Sequence, residues 1–174
     1  QLNFFHGTAL QEMYRITRNE LYPNNDFYSR AGMKIRDIFR EIPQLNKFNT
    51  FIDLCSAPGA WTDYLLELGG NGTSLSINSN NDNFCFYSSL EVNPNVTCKY
   101  TDIRNVEEYE SVDLIVADGA IDSENENLQE FTCAEIVLSE CVYLKFLNVK
   151  GNFVMKIFDT FTSFSKTIIY TLSQ

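Results

Sequence analysis

The chain has 174 residues, of which 44% are hydrophobic and 14% are aromatic. These fractions are typical of a globular protein and exclude a disordered one, and the length suits one domain with its own core. No apolar run approaches the roughly 20 residues of a membrane span, and no secretory signal is visible. We therefore expect a single domain over 1–174, with no membrane contact and a cytoplasmic location.

The charge is unevenly distributed along the chain. The net charge of −10 argues against broad affinity for nucleic acid, which requires a basic surface. Residues 1–50 nevertheless carry seven Lys and Arg against five Asp and Glu, a balance of +2, whereas the other residues carry six against eighteen, a balance of −12. A nucleic acid would therefore contact the N-terminal segment, although a solvated helix face of mixed charge explains these residues equally well.

The five cysteines form neither a CxxC pair nor a metal-binding cluster. Buried thiols in a reducing compartment are the simplest interpretation, and no metal site is expected. The cysteines are Cys55, Cys85, Cys98, Cys133 and Cys141.

The spacing of apolar residues predicts two helices first and an alternation of strands and helices afterwards. The N-terminal helices span 8–20 and 29–42, and Pro43 ends the second one. Alternation over 48–174 predicts a doubly wound, mostly parallel sheet with helices on both faces. The predicted strands are 50–54, 73–77, 97–100, 112–117 and 152–157, and the predicted helices between and after them are 60–68, 127–147 and 163–172.

The segment 51–61, FIDLCSAPGAW, reads as a buried strand, a loop of small residues and the start of a helix. Parallel sheets bind ligands at the carboxyl ends of their strands, and here Gly59 and its small neighbours allow a ligand to approach closely. The first N–H groups of the helix can bind a carboxylate. Asp53 needs a partner inside an apolar strand, either a cationic amino group of a ligand or the neighbouring loop. The loop lacks the GxGxxG pattern, which disfavours a nicotinamide cofactor.

Polar residues follow the second and third predicted strands. Gly72, in the turn before the second strand, suits either packing near a ribose or ending a helix. Asn78 follows that strand in place of the acidic residue that usually binds ribose hydroxyls. Asp102, beside Ile103 at the end of the third strand, is expected either to bind the amino group of an adenine or to cap a turn.

Charged residues mark the fourth and fifth predicted strands. Asp118 ends an apolar strand and is followed by Gly119, an arrangement typical of a carboxylate in a functional site. Lys156 lies among apolar residues of the fifth strand, and buried lysines are rare unless they are paired. Burial disfavours the charged form, so a neutral amine here could act as a base, whereas snorkelling to the surface is the structural alternative.

These residues together resemble the FtsJ/RrmJ-like family of RNA ribose 2′-O-methyltransferases over 28–172. The segment 29–34, SRAGMK, is similar to the family's SRAxxK motif, and the loop motif, Asp118-Gly119 and Lys156 follow in the family's order. The stretch 118–130 is similar to the DGG…QENLQE pattern of mRNA cap-1 methyltransferases. The stretch 156–165, KIFDTFTSFS, is similar to their KxFDxFTxFS pattern, which the bacterial ribosomal enzymes lack.

The resemblance implies a Rossmann-like fold, S-adenosylmethionine as the cofactor and capped mRNA as the substrate, with further domains or subunits of a capping apparatus as partners. It also implies a catalytic Lys-Asp-Lys-Glu set, filled by Lys34, Asp118 and Lys156, while the last Glu has no counterpart. The chain ends at Gln174, where the family's fold adds two strands, so we expect a C-terminally truncated piece or a degenerate domain. The implied cofactor-binding residues are Asp53, Ser56, Ala57, Pro58, Gly59, Ala60, Trp61, Gly72, Asn78, Asp102, Ile103 and Asp118.

In the reaction that the resemblance implies, the ribose 2′-oxygen attacks the methyl group in line. Lys156 acts as the base, while Lys34 and Asp118 adjust its proton affinity and position. Two other functions stay open: a catalytically impaired module of a larger protein that binds S-adenosylmethionine or RNA, and a ribosomal-RNA methyltransferase.

The residues that would bind a cap are not evident from the sequence. Phe27, Tyr28 and Phe161 are candidates for stacking, although each could equally belong to the core. The Asn-, Phe- and Tyr-rich composition is consistent with a large cytoplasmic DNA virus as the source. In that case the location would be a virus factory or a virion.

Overall fold

The computed structural model describes residues 30–77, 85–121 and 128–174 and, within 12–20, positions 12, 13, 16, 17 and 20. Those five positions are helical, in agreement with the helix predicted over 8–20. Several residues that the sequence singled out lie outside the described part, namely Phe27, Tyr28, Ser29, Asn78 and Glu126.

The strands are β1 (Thr50–Leu54), β2 (Asn71–Ser76), β3 (Val96–Tyr100), β4 (Val112–Ala117) and β5 (Leu147–Met155). They form one parallel sheet in the order β3-β2-β1-β4-β5. The chain starts in the middle of the sheet, moves outward to β3 and then returns to place β4 beside β1. The crevice between the loops after β1 and β4 is therefore a topological switch point, where ligands bind in open α/β sheets. The predicted doubly wound parallel sheet is confirmed.

The helices cover both faces of this sheet. Trp61 of the helix after β1 packs on one face, and Ile136 of the helix Ala134–Val142 packs on the other. The helices of the described ranges are α1 (Arg30–Glu41), α2 (Ala60–Glu67), α3 (Ser88–Glu91), α4 (Gln129–Thr132), α5 (Ala134–Val142) and α6 (Ser163–Leu172), with 3-10 turns at Pro43–Asn46 and Tyr143–Phe146.

Each face of the sheet has its own hydrophobic core. Side chains alternate along β1, so Phe51 packs with Ile35 and Phe39 of α1 on one face, while Ile52 packs with Tyr143 on the other. None of these five side chains is more than 1% exposed. Full burial of an Ile or Phe side chain contributes about 1.5–3 kcal/mol, so these contacts hold α1 firmly on the sheet beside the switch point.

The prediction of one long helix over 127–147 is wrong. The chain instead forms α4, α5 and the 3-10 turn Tyr143–Phe146 before β5 begins. The interruption between the two helices lies at Cys133, a fully buried residue whose thiol contacts the main chain of Ile121. A 3-10 turn brings residues three apart onto one face, so both ends of that turn enter the core.

The fifth strand starts and ends earlier than the predicted range 152–157. It runs from Leu147 to Met155, so Lys156 lies just beyond the strand rather than inside it. The Lys156 N–H still donates to the Ala117 carbonyl at 2.8 Å, which continues the pairing with β4 by one bond. The lysine therefore stands at the carboxyl edge of the sheet, where a ligand can reach it.

Candidate active site

The loop between β1 and α2 forms the floor of a cleft at the switch point. The Ser56 N–H donates to the Leu75 carbonyl at 2.9 Å, which ties the loop to β2. Gly59 has a φ of +114°, and a Cβ there would lie 2.1 Å from Leu90 Cδ1. The backbone conformation therefore favours glycine at this position, and Leu90 would have to move to make room for any side chain. The cleft is lined by Ala31, Asp53, Cys55, Ser56, Ala57, Pro58, Ala60, Trp61 and Asp118.

Helix α1 forms one side of this cleft. The indole N–H of Trp61 donates to the main-chain carbonyl of Ala31 at 2.8 Å, and Trp61 is only 5% exposed. Lys34 lies one turn further along α1 and is exposed. Within the described ranges, no ion pair or hydrogen bond joins Lys34 to Asp118 or Lys156. The structure therefore places Asp118 and Lys156 together, whereas Lys34, the third predicted catalytic residue, is bonded to neither of them.

Asp53 is fully buried at the base of the cleft. Its Oδ2 accepts a hydrogen bond of 2.6 Å from the Thr62 hydroxyl, which also lies 2.7 Å from the Ser74 hydroxyl. Its Oδ1 is buried without a hydrogen-bond partner among the described residues. Burial raises the pKa of Asp53 to about 8, with a further contribution from the nearby Asp118 and opposition from the hydrogen bonds of Thr62. A buried acceptor that lines a cleft and lacks a partner suits the cationic amino group of a ligand.

Lys156 and Asp118 form a pair at the carboxyl edge of the sheet. Because Ala117 and Met155 are paired across β4 and β5, the next residue of each strand leaves the sheet beside the other. The Lys156 amine lies 2.6 Å from Oδ1 of Asp118 and donates to the Asp118 main-chain carbonyl at 2.9 Å. It also lies 5.1 Å from the centre of the Phe158 ring. Both side chains remain partly accessible, at 27% for the lysine and 21% for the aspartate.

Glu130 joins the segment after β4 to the segment after β5. Its Oε1 accepts hydrogen bonds from the Thr162 N–H at 3.0 Å and the Thr162 hydroxyl at 2.6 Å, and its Oε2 accepts from the Phe161 N–H at 3.3 Å. Burial favours the neutral acid, but hydrogen bonds from Ser165, Thr162 and Phe161 outweigh it and lower the pKa of Glu130. The carboxylate thus connects the two sequence stretches, 118–130 and 156–165, that carry the cap-type resemblance.

The sequence interpretation also missed Glu140 on α5, another buried carboxylate. Its Oε1 accepts a hydrogen bond from the Gly119 N–H at 2.9 Å, and the residue is fully buried. Burial raises the pKa of Glu140 to about 7, although the Gly119 hydrogen bond and the charge of Lys156 oppose the shift. Cys133, Val137 and Glu140 are spaced by four and three residues and are all buried. That helical spacing was the signal that Glu140 faces the core.

Three of the residues predicted to contact the cofactor lie at positions that suit this role less well. Gly72 pairs with Phe51 at the opposite end of the sheet from the cleft, and a Cβ there would lie 2.3 Å from the Phe51 carbonyl oxygen. Close strand packing therefore explains this glycine, and a contact between Gly72 and the cofactor does not fit. Asp102 caps a turn by accepting from the Arg104 N–H at 3.0 Å, and it binds the Arg104 guanidinium. The side chain of Ile103 is only 3% exposed, so a ligand could contact this residue only through its main chain.

The sheet order, the small-residue loop at the switch point and the Lys–Asp pair beside it define a Rossmann-like α/β domain with an enzyme-like site. The family model of the FtsJ-like methyltransferases matches residues 27–174. The chain belongs to the FtsJ-like methyltransferase family.

Individual relatives support this membership at modest identity. The chain is 28% identical, over 94% of its length, to the cap-specific mRNA (nucleoside-2′-O-)-methyltransferase 1 of Leishmania braziliensis, and it covers 52% of that protein. It is 28% identical, over 76% of its length, to the cap-specific mRNA (nucleoside-2′-O-)-methyltransferase of Autographa californica nuclear polyhedrosis virus, and it covers 56% of it. The chain thus spans about half the length of these curated relatives.

A solved structure shows the same fold. A chain described as a ribosomal RNA methyltransferase of Plasmodium falciparum superposes with a TM-score of 0.67 at 17% identity, covering 84% of this chain and 86% of that one. In the part of the chain that the structure describes, no helix is both long and apolar enough to cross a membrane.

Proposed function

We propose that this domain transfers a methyl group from S-adenosylmethionine to a ribose 2′-hydroxyl of RNA, at the first transcribed nucleotide of capped mRNA. The observation that carries the proposal is the Lys156–Asp118 pair, which stands at the carboxyl edge of the sheet next to the cleft that Asp118 and Asp53 line. S-adenosylmethionine supplies, when bound, a methyl group on a sulfonium centre that a ribose oxygen can attack.

Lys156 is the proposed base. Its amine, in the neutral form, accepts the proton of the ribose hydroxyl as the new oxygen–carbon bond forms. Asp118 holds this amine from two directions, through its carboxylate and through its main-chain carbonyl. Such a pair fixes the position of the nitrogen, and positioned general bases typically contribute about 10²–10⁴-fold to a rate.

Asp53 and the loop after β1 are the proposed cofactor-binding groups. The free Oδ1 of Asp53 would accept from the amino group of the cofactor, and Ser56, Gly59 and Trp61 shape the adjoining cleft. The first N–H groups of α2 would receive its carboxylate. Asp102 and the main chain of Ile103, next to the end of β3, are proposed for the adenine, while Asn78 is proposed from the sequence alone.

Two observations favour a capped mRNA as the substrate. Glu130 links the two stretches that resemble the cap-directed branch, so both sides of this resemblance belong to one hydrogen-bonded unit beside Lys156. In addition, both curated relatives described above are named as cap-specific mRNA methyltransferases, one of them from a virus. RNA is therefore the proposed partner, and a viral source remains part of the same proposal.

One observation favours a second candidate, a catalytically impaired module that binds S-adenosylmethionine or RNA. Lys34, the first residue of the implied catalytic set, is exposed and lacks a contact with the Lys156–Asp118 pair among the described residues. Such a module would bind the cofactor without transferring its methyl group.

The decisive experiment measures transfer of a labelled methyl group from S-adenosylmethionine to three RNAs: capped, uncapped and ribosomal. Labelled product on capped RNA alone, located at the 2′-oxygen of the first nucleotide, is the expected result. Product on ribosomal RNA instead would make the domain a ribosomal-RNA methyltransferase. Cofactor binding without any product would identify the impaired module.

A further inference from the structure

Glu140 is a buried carboxyl group that the proposed reaction does not use. It is 0% exposed, and its Oε2 has no hydrogen-bond partner among the described residues. Burying such a group without full hydrogen bonding costs free energy of folding. The contact that offsets this cost is the 2.9 Å hydrogen bond that its Oε1 accepts from the Gly119 N–H.

This N–H belongs to the same peptide unit as the carbonyl that Lys156 binds. The Asp118 carbonyl and the Gly119 N–H lie in one planar amide, and in the trans form they point in opposite directions. Glu140 holds the N–H side at 2.9 Å, and the Lys156 amine holds the carbonyl side at 2.9 Å. Because the amide is rigid, a group that fixes the N–H direction also fixes the direction of the carbonyl.

The glycine at position 119 is explained by the same contact. A Cβ at Gly119 would lie 2.3 Å from Oε1 of Glu140 and 2.6 Å from Ile136 Cγ2. A side chain here would push the carboxyl group away from the N–H. The second residue of the Asp118-Gly119 motif is therefore small because Glu140 approaches it from inside the fold.

We propose that Glu140 is a positioning residue, which acts through the Asp118–Gly119 peptide to hold the Lys156 amine in its reactive orientation. The inference rests on the proposed methyl transfer, in which Lys156 accepts the ribose proton. Hydrogen bonds in series polarise one another in a low-dielectric interior, so the Glu140 contact also makes the carbonyl a better acceptor for Lys156. Loss of the contact frees the peptide to rotate and the amine to move with it.

Three substitutions at Glu140 separate the effect of side-chain length from the effect of charge. Glu140→Gln keeps an acceptor oxygen at the same distance, Glu140→Asp keeps the charge but shortens the side chain, and Glu140→Met keeps the length without an acceptor. The same three changes at Glu108, whose side chain is 88% exposed, are the matched controls. We expect the kcat for methyl transfer to fall about tenfold to hundredfold in the Asp and Met variants. The Gln variant should stay within about threefold of the wild type, and the KM for the cofactor should stay within about twofold throughout.

A second measurement does not depend on activity. Amide exchange of Gly119 and the side-chain nitrogen resonance of Lys156 are followed by NMR in the free protein. Gly119 should be protected in the wild type and the Gln variant, while in the Asp and Met variants it should exchange at least about tenfold faster and the Lys156 resonance should shift.

Unchanged Gly119 exchange in the Met variant, or an active Asp variant beside an inactive Gln variant, would overturn the positioning role. If Glu140→Met does not fold, the comparison of Glu140→Asp with Glu140→Gln still tests the positioning role. A wild-type protein that transfers no methyl group to any RNA would refute the proposed function, and the NMR measurement would still decide whether Glu140 orients Lys156.

Discussion

The amine of Lys156 contacts Asp118 twice, at 2.6 Å from the carboxylate and at 2.9 Å from the main-chain carbonyl. The two residues are the first ones beyond paired positions of neighbouring parallel strands. Their meeting is therefore a consequence of the register between β4 and β5, and it requires no loop rearrangement. A side chain held in this way has a fixed position, which the proposed role of Lys156 as a base requires.

Replacement of Lys156 by alanine should lower methyl transfer by at least about a hundredfold, because the proposed general base is lost. The Kd for S-adenosylmethionine should change less than about threefold, because Lys156 is not among the residues that line the cleft. Transfer of labelled methyl groups and calorimetric titration of the cofactor measure the two quantities. Lys145→Ala, at a surface ion pair with Glu108, is the control and should match the wild type. If Lys156→Ala weakened cofactor binding as much as it lowered methyl transfer, the role of Lys156 as a base would be contradicted.

Part of this site was predictable from the sequence because it depends on local pattern. Strand β1 and the loop after it were predicted correctly because a short apolar run followed by small residues and glycine has few other interpretations. The contacts of Glu140 and Glu130 were not predicted, since each depends on a partner 21 to 32 residues away. The break at Cys133 was missed for the same reason: a buried tertiary contact overrides a helical pattern that continues on both sides.

Asp53 should make the free protein less stable as the pH rises. Its folded-state pKa of about 8 lies above the unfolded value of about 3.9, so the folded state holds the proton more tightly. The free energy of unfolding therefore falls between about pH 4 and pH 8 and then levels off. Asp53→Asn removes this penalty, and it should raise the Tm by a few degrees at pH 9 and by little at pH 5.

The control for this prediction is Asp113→Asn. Hydrogen bonds from the Asn49 main chain, the Asn148 side chain and Thr50 lower the pKa of Asp113, so its contribution to stability is present throughout pH 5 to 9. That variant should lose a similar amount of stability at both pH values. A pH-independent Tm difference in Asp53→Asn would show that Asp53 is ionised in the free protein.

Cofactor binding should release a proton from Asp53. At pH 7 a carboxyl group with a pKa of about 8 is mostly protonated, whereas a cationic amino group beside Oδ1 favours the ionised form. Titration calorimetry in buffers of different ionisation enthalpy should therefore report close to one proton released from Asp53 at pH 7 and fewer as the pH approaches 8. The affinity should fall by up to about tenfold for each pH unit below 8. Asp53→Asn should bind more weakly and should show no release from this residue. Equal release in the variant and the wild type would assign the proton to another group.

Glu130 should control RNA binding rather than cofactor binding. Glu130→Ala removes the three hydrogen bonds that Glu130 accepts from Phe161 and Thr162, so the segment after Lys156 is held less firmly against the segment after β4. The KM for capped RNA should rise about five- to tenfold, while the Kd for S-adenosylmethionine should stay within about twofold. Glu110→Ala changes an exposed carboxylate and is the control. An unchanged KM for RNA would show that this segment does not face the substrate.

Phe161 and Phe164 form a matched pair for a test of aromatic stacking. Phe161 is 77% exposed, which excludes the core role that the sequence left open for it, whereas Phe164 is partly buried beside Glu130 and Val137. Stacking of a base on an exposed aromatic ring contributes about 1–3 kcal/mol. Phe161→Ala should therefore raise the KM for capped RNA about five- to hundredfold with an unchanged Tm. Phe164→Ala should lower the Tm, because it removes packing from the inner side of α6. Thermal melts and RNA titrations of both variants separate these roles. A lower Tm with normal RNA binding in Phe161→Ala would show that Phe161 contributes to packing and not to stacking on RNA.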